Sequence, residues 1–218
     1  MNPGHLKSDP LTRKKAEYYN DLAQTIFFPV YPVIANQILK KAEIDTGTCL
    51  DVGSGPAHLA IALATLSDLK VCALDNSRPM CRMAEANIKK YRLEQRVKTI
   101  FGNVNALPCD DGSIDLLVSR GSFFFWKNLS RGFSECMRVL RPGGMAYIGE
   151  GFGNARLRDE IIARMHERDP AWEEKRRARY ANCSPHIIRS ALAAAGISRY
   201  DLTQNDSGYW VCFRKDER

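Results

Sequence analysis

The sequence predicts an α/β fold: a doubly wound, mostly parallel seven-stranded sheet that ends in an antiparallel hairpin and carries a helical N-terminal extension. Three observations lead there. Short β-type runs alternate with helix-period runs from about residue 47 onward, the mark of parallel strands joined by crossover helices. The strand-like Leu50-Asp51-Val52 runs straight into the glycine-bearing turn Gly53-Ser54-Gly55. The last two β-type runs are separated only by the turn formers Gln204 to Gly208, a linker short enough to make them antiparallel to each other.

Thr48 to Val52 is the first strand. Pro56 suits a first helical turn, and Ala57 to Leu66 is apolar nearly all round, as a crossover helix pressed on a sheet should be. Lys70 to Asp75 forms the second strand, after which Asn76-Ser77 caps a helix carrying Met80, Ala84, Ile88 and Tyr91 on one face. Val97 to Gly102 reads as the third strand and Ile114 to Ser119 as the fourth, the latter preceded by the turn residues Asp110 to Ser113. A helix striped with Leu129, Phe133, Cys136, Met137 and Leu140 follows. Arg141-Pro142-Gly143-Gly144 stops it, because proline cannot continue a helix and glycine permits the turn. Met145 to Glu150 is the fifth strand, Ser184 to Ala195 a late helix ended by Gly196, and Arg199 to Thr203 with Tyr209 to Arg214 the closing pair.

Two segments add to this plan. Arg13 to Ala42 mixes charge with aromatics and reads as helical with a break at its prolines. Gly151 to Cys183 is rich in charge and longer than the usual α/β connection. A single domain over residues 1–218 is expected. It divides into a helical N-terminal lid over 1–45, a ligand-binding half over 46–150, an insertion over 151–183 that covers the substrate, and a C-terminal helix and hairpin over 184–218.

With 44% hydrophobic and 26% charged residues the composition is that of a globular chain rather than a disordered or fibrous one. Residues 1–15 hold no apolar run of signal-peptide length and no stretch approaches a membrane span, so a cytoplasmic protein with no membrane partner is expected. Seven cysteines, odd in number and without a C-x-x-C pair, argue against a disulfide framework and against a metal site. The net charge of +7 would suit nucleic acid, but the basic residues are spread along the chain, apart from Lys175, Arg176, Arg177 and Arg179 beside Glu173 and Glu174. His58 and His166 read as packing or surface residues, and His186, after Ser184-Pro185, as a cap or surface residue.

Leu50 to Ala57 carries the sharpest chemical signal. Glycines there let the backbone approach a ligand closely, and the following helix adds exposed N–H donors. A nicotinamide-dinucleotide fingerprint would need a glycine at position 58, where His58 stands. Asp51, Gly53 and Gly55 instead resemble the first motif of the class I, Rossmann-like S-adenosylmethionine-dependent methyltransferases, with Ala57 in the place of a frequent third glycine. Asp75 is similar to the family's acid at the end of the second strand, and Gly102 to Pro108 to its G-D-A-x-x-L-P segment, with Asn103 where an Asp is usual. Asp111 to Val118 and Leu140 to Gly144 complete a resemblance spanning roughly residues 47 to 150.

The resemblance implies S-adenosyl-L-methionine as cofactor and S-adenosyl-L-homocysteine as product. Asp75 would bond both ribose hydroxyls, Asn103 would accept from the adenine amino group, and Met80 would wall the adenine. Tyr19, Ser54, Asn76, Val104, Ser119 and Arg120 complete the expected cofactor site. The aromatic run Phe123 to Trp126 follows the fourth strand and should face the methyl group. A small molecule is the favoured acceptor. The N-P-P-[YF] signature of amino-group methylation occurs nowhere in the fold, and Pro108-Cys109 precedes the fourth strand rather than following it. RNA is the second reading and a non-catalytic cofactor-binding subunit the third. No catalytic residue is fixed: Tyr18, Tyr19, Glu150 and His186 are the candidate bases, and Arg156, Arg158 and Arg164 are available to hold an anionic group.

Overall fold

The computed structural model describes residues 13–181, 183–206 and 208–217. The first twelve residues of the expected lid therefore lie outside the described residues. Among the described residues eight helices and seven strands follow one another, beginning with α1 (Arg13–Thr25), α2 (Val30–Ala42), β1 (Thr46–Val52), α3 (His58–Leu66), β2 (Asp68–Asp75), α4 (Arg78–Lys90), β3 (Val97–Phe101) and β4 (Ile114–Arg120). A 3-10 turn at Phe123–Phe125 leads to α5 (Leu129–Val139), β5 (Leu140–Gly151), α6 (Ala155–Arg168), α7 (Trp172–Ala181), α8 (Pro185–Ala194), β6 (Asp201–Asn205) and β7 (Gly208–Arg214).

The strands lie in the order β3-β2-β1-β4-β5-β7-β6. All neighbours from β3 to β5 pair in parallel, and β7 enters antiparallel between β5 and β6. The chain starts in the middle, winds outward to β3, then returns to β4 on the other side of β1. That reversal leaves a crevice above the carboxyl ends of β1 and β4, where ligands of open α/β sheets bind.

Each face of the sheet has its own core. Cys49 and Val71 pack with Ile34, Ile38, Leu59, Leu63 and Ile88 of α2, α3 and α4. Leu50, Leu117 and Ile148 point the opposite way, into Phe133, Cys136, Ile188 and Leu192 of α5 and α8. The side-chain period of two along a strand produces this split.

Element by element the sequence reading meets three shifts. The helix after the glycine turn begins at His58, not Pro56, because Gly53, Gly55 and Ala57 all take positive φ and carry the turn two residues further. Arg141 to Gly144 ends α5 as expected, yet those same residues already belong to β5, with a register shift opposite Ile114 and Leu116. The hairpin strands extend into their linker, to Asn205 and from Gly208. Gly151 to Cys183 folds largely into α6 and α7, and the N-terminal segment breaks before Val30, bending α1 against α2 by 78°. Among the described residues no single helix is long and apolar enough to cross a membrane.

Candidate active site

A cavity of about 660 Å³ opens above the carboxyl ends of β1, β2 and β4, within the size range of small-molecule sites. Its floor is the turn after β1. Gly53 and Ser54 donate their N–H groups to the Leu74 carbonyl at 2.8 and 2.9 Å, which bends the chain sharply over the end of β2. At Gly53 a Cβ would lie 2.3 Å from Cβ of Ser122, so only glycine fits; at Gly55 a Cβ would meet nothing within 4 Å, because that side of the backbone faces the cavity. Ala57 keeps the third position of the turn at φ 66° although it is not glycine, a conformation costing roughly 1–2 kcal/mol for an L-residue.

Two carboxylates dominate the electrostatics. Asp51 is 1% exposed, and one of its oxygens, Oδ2, has no hydrogen-bond partner among the described residues. Burial, with the Asp75 charge nearby, pushes its carboxyl up to about 7, while the Ala60 N–H and Arg120 act in the other direction. Asp75 accepts the Gly55 N–H on Oδ2 and the Ser77 N–H on Oδ1, both at 2.9 Å. The Asn76 N–H also bears on this carboxylate, which with about four lone-pair sites still has capacity for a further donor. Burial raises this carboxyl as well, and the backbone bonds oppose that rise. The two carboxylates are short of donors, and a ligand bringing hydroxyl or ammonium hydrogens would satisfy them.

All the residues predicted for the cofactor site line this cavity except Ser119. Tyr19, Asp51, Gly53, Ser54, Gly55, Asp75, Asn76, Met80, Asn103, Val104 and Arg120 come together there. Ser119 is fully buried at the end of β4, where inward-facing residues are covered by α5 and the 3-10 turn, and its hydroxyl lies 2.6 Å from that of Ser122. Since Ser122 gives its one proton to the Val52 carbonyl at 2.9 Å, Ser119 is the donor of that pair. It props the loop against β1 from behind. Asn103 spends part of its carbonyl oxygen on the Asn105 N–H at 2.9 Å, shaping the wall as well as facing it.

Other wall residues carried no sequence signal. From α1 come Leu22 and Ala23; Phe27 and Tyr31 follow, Tyr31 in the first turn of α2; Trp172 and Arg179 arrive from α7. Arg120 lies under the rings of Phe27 and Tyr31, 5.6 and 5.3 Å from their centroids, and donates to the Gly151 carbonyl at 2.9 Å. It thus ties β4, α2 and the insertion at one point. Asn87 performs a similar task from α4. Its amide reaches Pro56 O at 2.9 Å, Asn20 Oδ1 at 2.8 Å and Gln24 Nε2 at 2.9 Å, linking α1 to the glycine turn. From the other side α6 braces α1 through Arg164 to Thr25 O and Arg168 to Asp21.

His58 is a packed residue, stacked 5.4 Å from Tyr31, with burial pulling its imidazole down to about 4. Tyr18 lies outside the cavity, its ring 5.3 Å from the Arg168 guanidinium. His166 and His186 are exposed, and neither lines a cavity. The aromatic run divides: Phe123 is in the core, Phe124 packs 4.8 Å from Tyr180, Phe125 is 62% exposed at the cavity wall, and Trp126 rests on Phe133.

A second cavity of about 510 Å³ adjoins the first, walled by the insertion and the β6–β7 hairpin. Glu150, at the end of β5, lines both. The arginines expected to hold an anion are otherwise engaged. Arg156 pairs with Glu160 on the surface, Arg164 serves α1, and Arg158, though it lines the second cavity, is paired with Asp159 and Asp206.

Residues 50–148 match the family profile described as a methyltransferase domain. The chain is 38% identical to a proposed S-adenosyl-L-methionine-dependent methyltransferase from Methanococcus maripaludis of solved structure, over 100% of this chain and 98% of that one, with a TM-score of 0.91. It is 34% identical over 116 residues to a malonyl-[acyl-carrier protein] O-methyltransferase of Methylococcus capsulatus, covering 52% of this chain and 40% of that one. It is also 34% identical over 101 residues to a demethylmenaquinone methyltransferase of Chlorobaculum tepidum, covering 46% and 39%. The chain thus spans about two fifths of the length of those two curated relatives.

Proposed function

The chain belongs to the class I S-adenosylmethionine-dependent methyltransferases, and from that premise we propose that it transfers a methyl group from S-adenosyl-L-methionine to a small-molecule acceptor. The observation that carries the proposal is the pair of carboxylates with spare acceptor capacity over β1 and β2. Asp51 has an unpartnered oxygen, Asp75 has spare lone pairs, and Gly55 presents open backbone, all in one cavity of cofactor size. Asp75 would hold the ribose hydroxyls, Met80 and Val104 would wall the adenine, and the Gly53–Gly55 turn with Asp51 would take the amino-acid end. When bound, the cofactor supplies an electrophilic methyl on a sulfonium. The work left to the protein is alignment of that methyl with a nucleophile, which orientation alone accelerates strongly.

Glu150 stands in the wall shared by the two cavities and is the candidate base favoured by position, since Tyr18 and His186 line neither. Its carboxylate lies near enough to Tyr180 to raise that phenol's pKa, and its lone pairs can receive a proton from an acceptor that must lose one. The helix α1, contributing Tyr19 and held by Asn87, acts as the lid, and α6 and α7 cover the acceptor side.

Acceptors named for two relatives, a malonyl carrier and a demethylmenaquinone, support a non-nucleic-acid substrate. Charge supports it too. Lys89 and Lys90 end α4 at the amino edge of the sheet, whereas α7 borders the cavity at the opposite edge, and there Lys175 pairs with Asp169 and Arg177 with Glu173. No single positive face for RNA follows from that placement. Seven unpaired thiols fit a reducing, cytoplasmic setting. The deciding experiment incubates the purified chain with radiolabelled cofactor, metabolite extract and tRNA in separate arms. Label is expected in a small molecule; label in tRNA, or in nothing at all, defeats the reading.

A further inference from the structure

The second cavity holds two buried polar atoms without partners. Among the described residues, Nε of Arg176 and the hydroxyl of Tyr209 have no hydrogen-bond partner, and both residues line it. Leaving such a group buried and unpaired costs on the order of 1–3 kcal/mol. Arg176 is unlike the other cavity arginines: Arg158 and Arg177 have carboxylate partners, and Arg176 has none among the described residues. Its guanidinium is framed by the rings of Phe152, Trp172 and Tyr180 at 5.4 to 5.7 Å, and one of its terminal nitrogens reaches the Tyr180 hydroxyl at 3.5 Å. Tyr209 stands opposite Glu150 in the β5–β7 register, so both side chains leave the same face of the sheet.

Both orphan atoms are N–H or O–H donors, and what would satisfy them is an acceptor. Beside a guanidinium framed by three rings, that acceptor is an oxyanion. We propose that the second cavity is the acceptor pocket and selects a small molecule bearing a carboxylate or phosphate on an apolar, ring-sized body, with the oxyanion on Arg176 and Tyr209 and the methylated atom turned toward Glu150. This assignment rests on the methyltransferase reading for its word acceptor, but not for the oxyanion site itself. Phe152 and Tyr180 give the body its apolar walls, with Phe124 packed behind Tyr180.

The test uses the full chain loaded with S-adenosylhomocysteine, so that the first cavity is filled, and fluorine NMR titrations with 4-fluorobenzoate, 4-fluorophenyl phosphate and the neutral 4-fluorobenzamide. At least one anion should bind about ten-fold or more tightly than the amide, and Arg176→Gln should erase that preference while Arg176→Lys keeps part of it. Whichever anion is preferred identifies the source. Equal binding of all three probes to the parent chain overturns the proposal without recourse to any variant, as does an anion preference that survives in Arg176→Gln. Calorimetry with S-adenosylhomocysteine alone separates the two readings: cofactor binding without anion preference removes this one, and anion preference in a chain that ignores the cofactor removes the methyltransferase reading instead.

Discussion

The two cavities are built by different means. Around the first, the decisive contacts are made by backbone: Gly53 and Ser54 to Leu74, Gly55 and Ser77 to Asp75, Ala57 in a left-handed turn. Around the second, long side chains from α7 do the work, and α7 has no buried residue of its own. A backbone cradle tolerates few residue types at fixed spacing, whereas a wall of side chains can be rewritten one residue at a time. The first is suited to a ligand that never varies. The second is suited to one that differs between relatives.

Removing a carboxylate from the cradle is the strongest way to break this contrast. Asp75→Ala should deprive the ribose of its partner and free the N–H groups of Gly55 and Ser77, lowering S-adenosylhomocysteine affinity in calorimetry by about 1.5–3 kcal/mol, roughly ten- to a hundred-fold. An unchanged dissociation constant would mean that the cofactor lies elsewhere.

The cradle also predicts a pH dependence. Because the Asp51 carboxyl rises from 3.8 to about 7 on folding, the native chain binds a proton there that the unfolded chain has released. That contribution to stability is complete below the unfolded value and fades as pH rises through about 7. The ligand-free chain should therefore melt lower at about pH 8 than at about pH 6. Asp51→Asn, which cannot ionise, should lose most of that slope and melt about 5–10 °C above the parent at about pH 8, for a term on the order of 3 kcal/mol. Circular dichroism melts across the range decide, and parallel slopes in parent and variant would refute the buried-charge account.

A smaller effect is expected at the lid. Asn87→Ala removes three hydrogen bonds that join α1 to the glycine turn, worth on the order of 2 kcal/mol together. Amide exchange over residues 13–32 should quicken, and added S-adenosylhomocysteine should restore less protection than in the parent. Identical exchange in both chains would show that α1 is held by α6 alone. Least of all should change in Ala57→Gly. Relief of the left-handed strain is offset by the lost buried methyl, about 0.8 kcal/mol, and by the freedom glycine gains in the unfolded chain. A melting temperature within about 3 °C of the parent is expected.

The same contrast explains what the sequence revealed. Asp51, Gly53, Gly55 and Asp75 were legible because strand ends and positive-φ turns demand those residue types in that order. The seven strands were legible from their period. Ser119 misled because a residue at a strand's carboxyl end can point either to the crevice or into the core, and the one-residue alternation along β4 was not tied to a register before pairing was known. Trp172, Arg176 and Tyr209 were invisible for another reason. They meet through the packing of an insertion against a hairpin more than twenty-five residues away in the chain, and no local pattern encodes that meeting.

The late arrival of β7 has a consequence for how the molecule is made. All predicted cofactor residues lie at or before Arg120 in the chain, and the five parallel strands are complete at Gly151. Until Gly208 to Arg214 emerge during synthesis, however, the outer edge of β5 from Met145 to Gly151 has nothing to pair with. An unpaired strand edge invites association between nascent chains. The last strand thus both closes the wall of the second cavity with Tyr209 and protects the growing polypeptide from its neighbours, and a chain halted before residue 208 should aggregate although every cradle residue is in place.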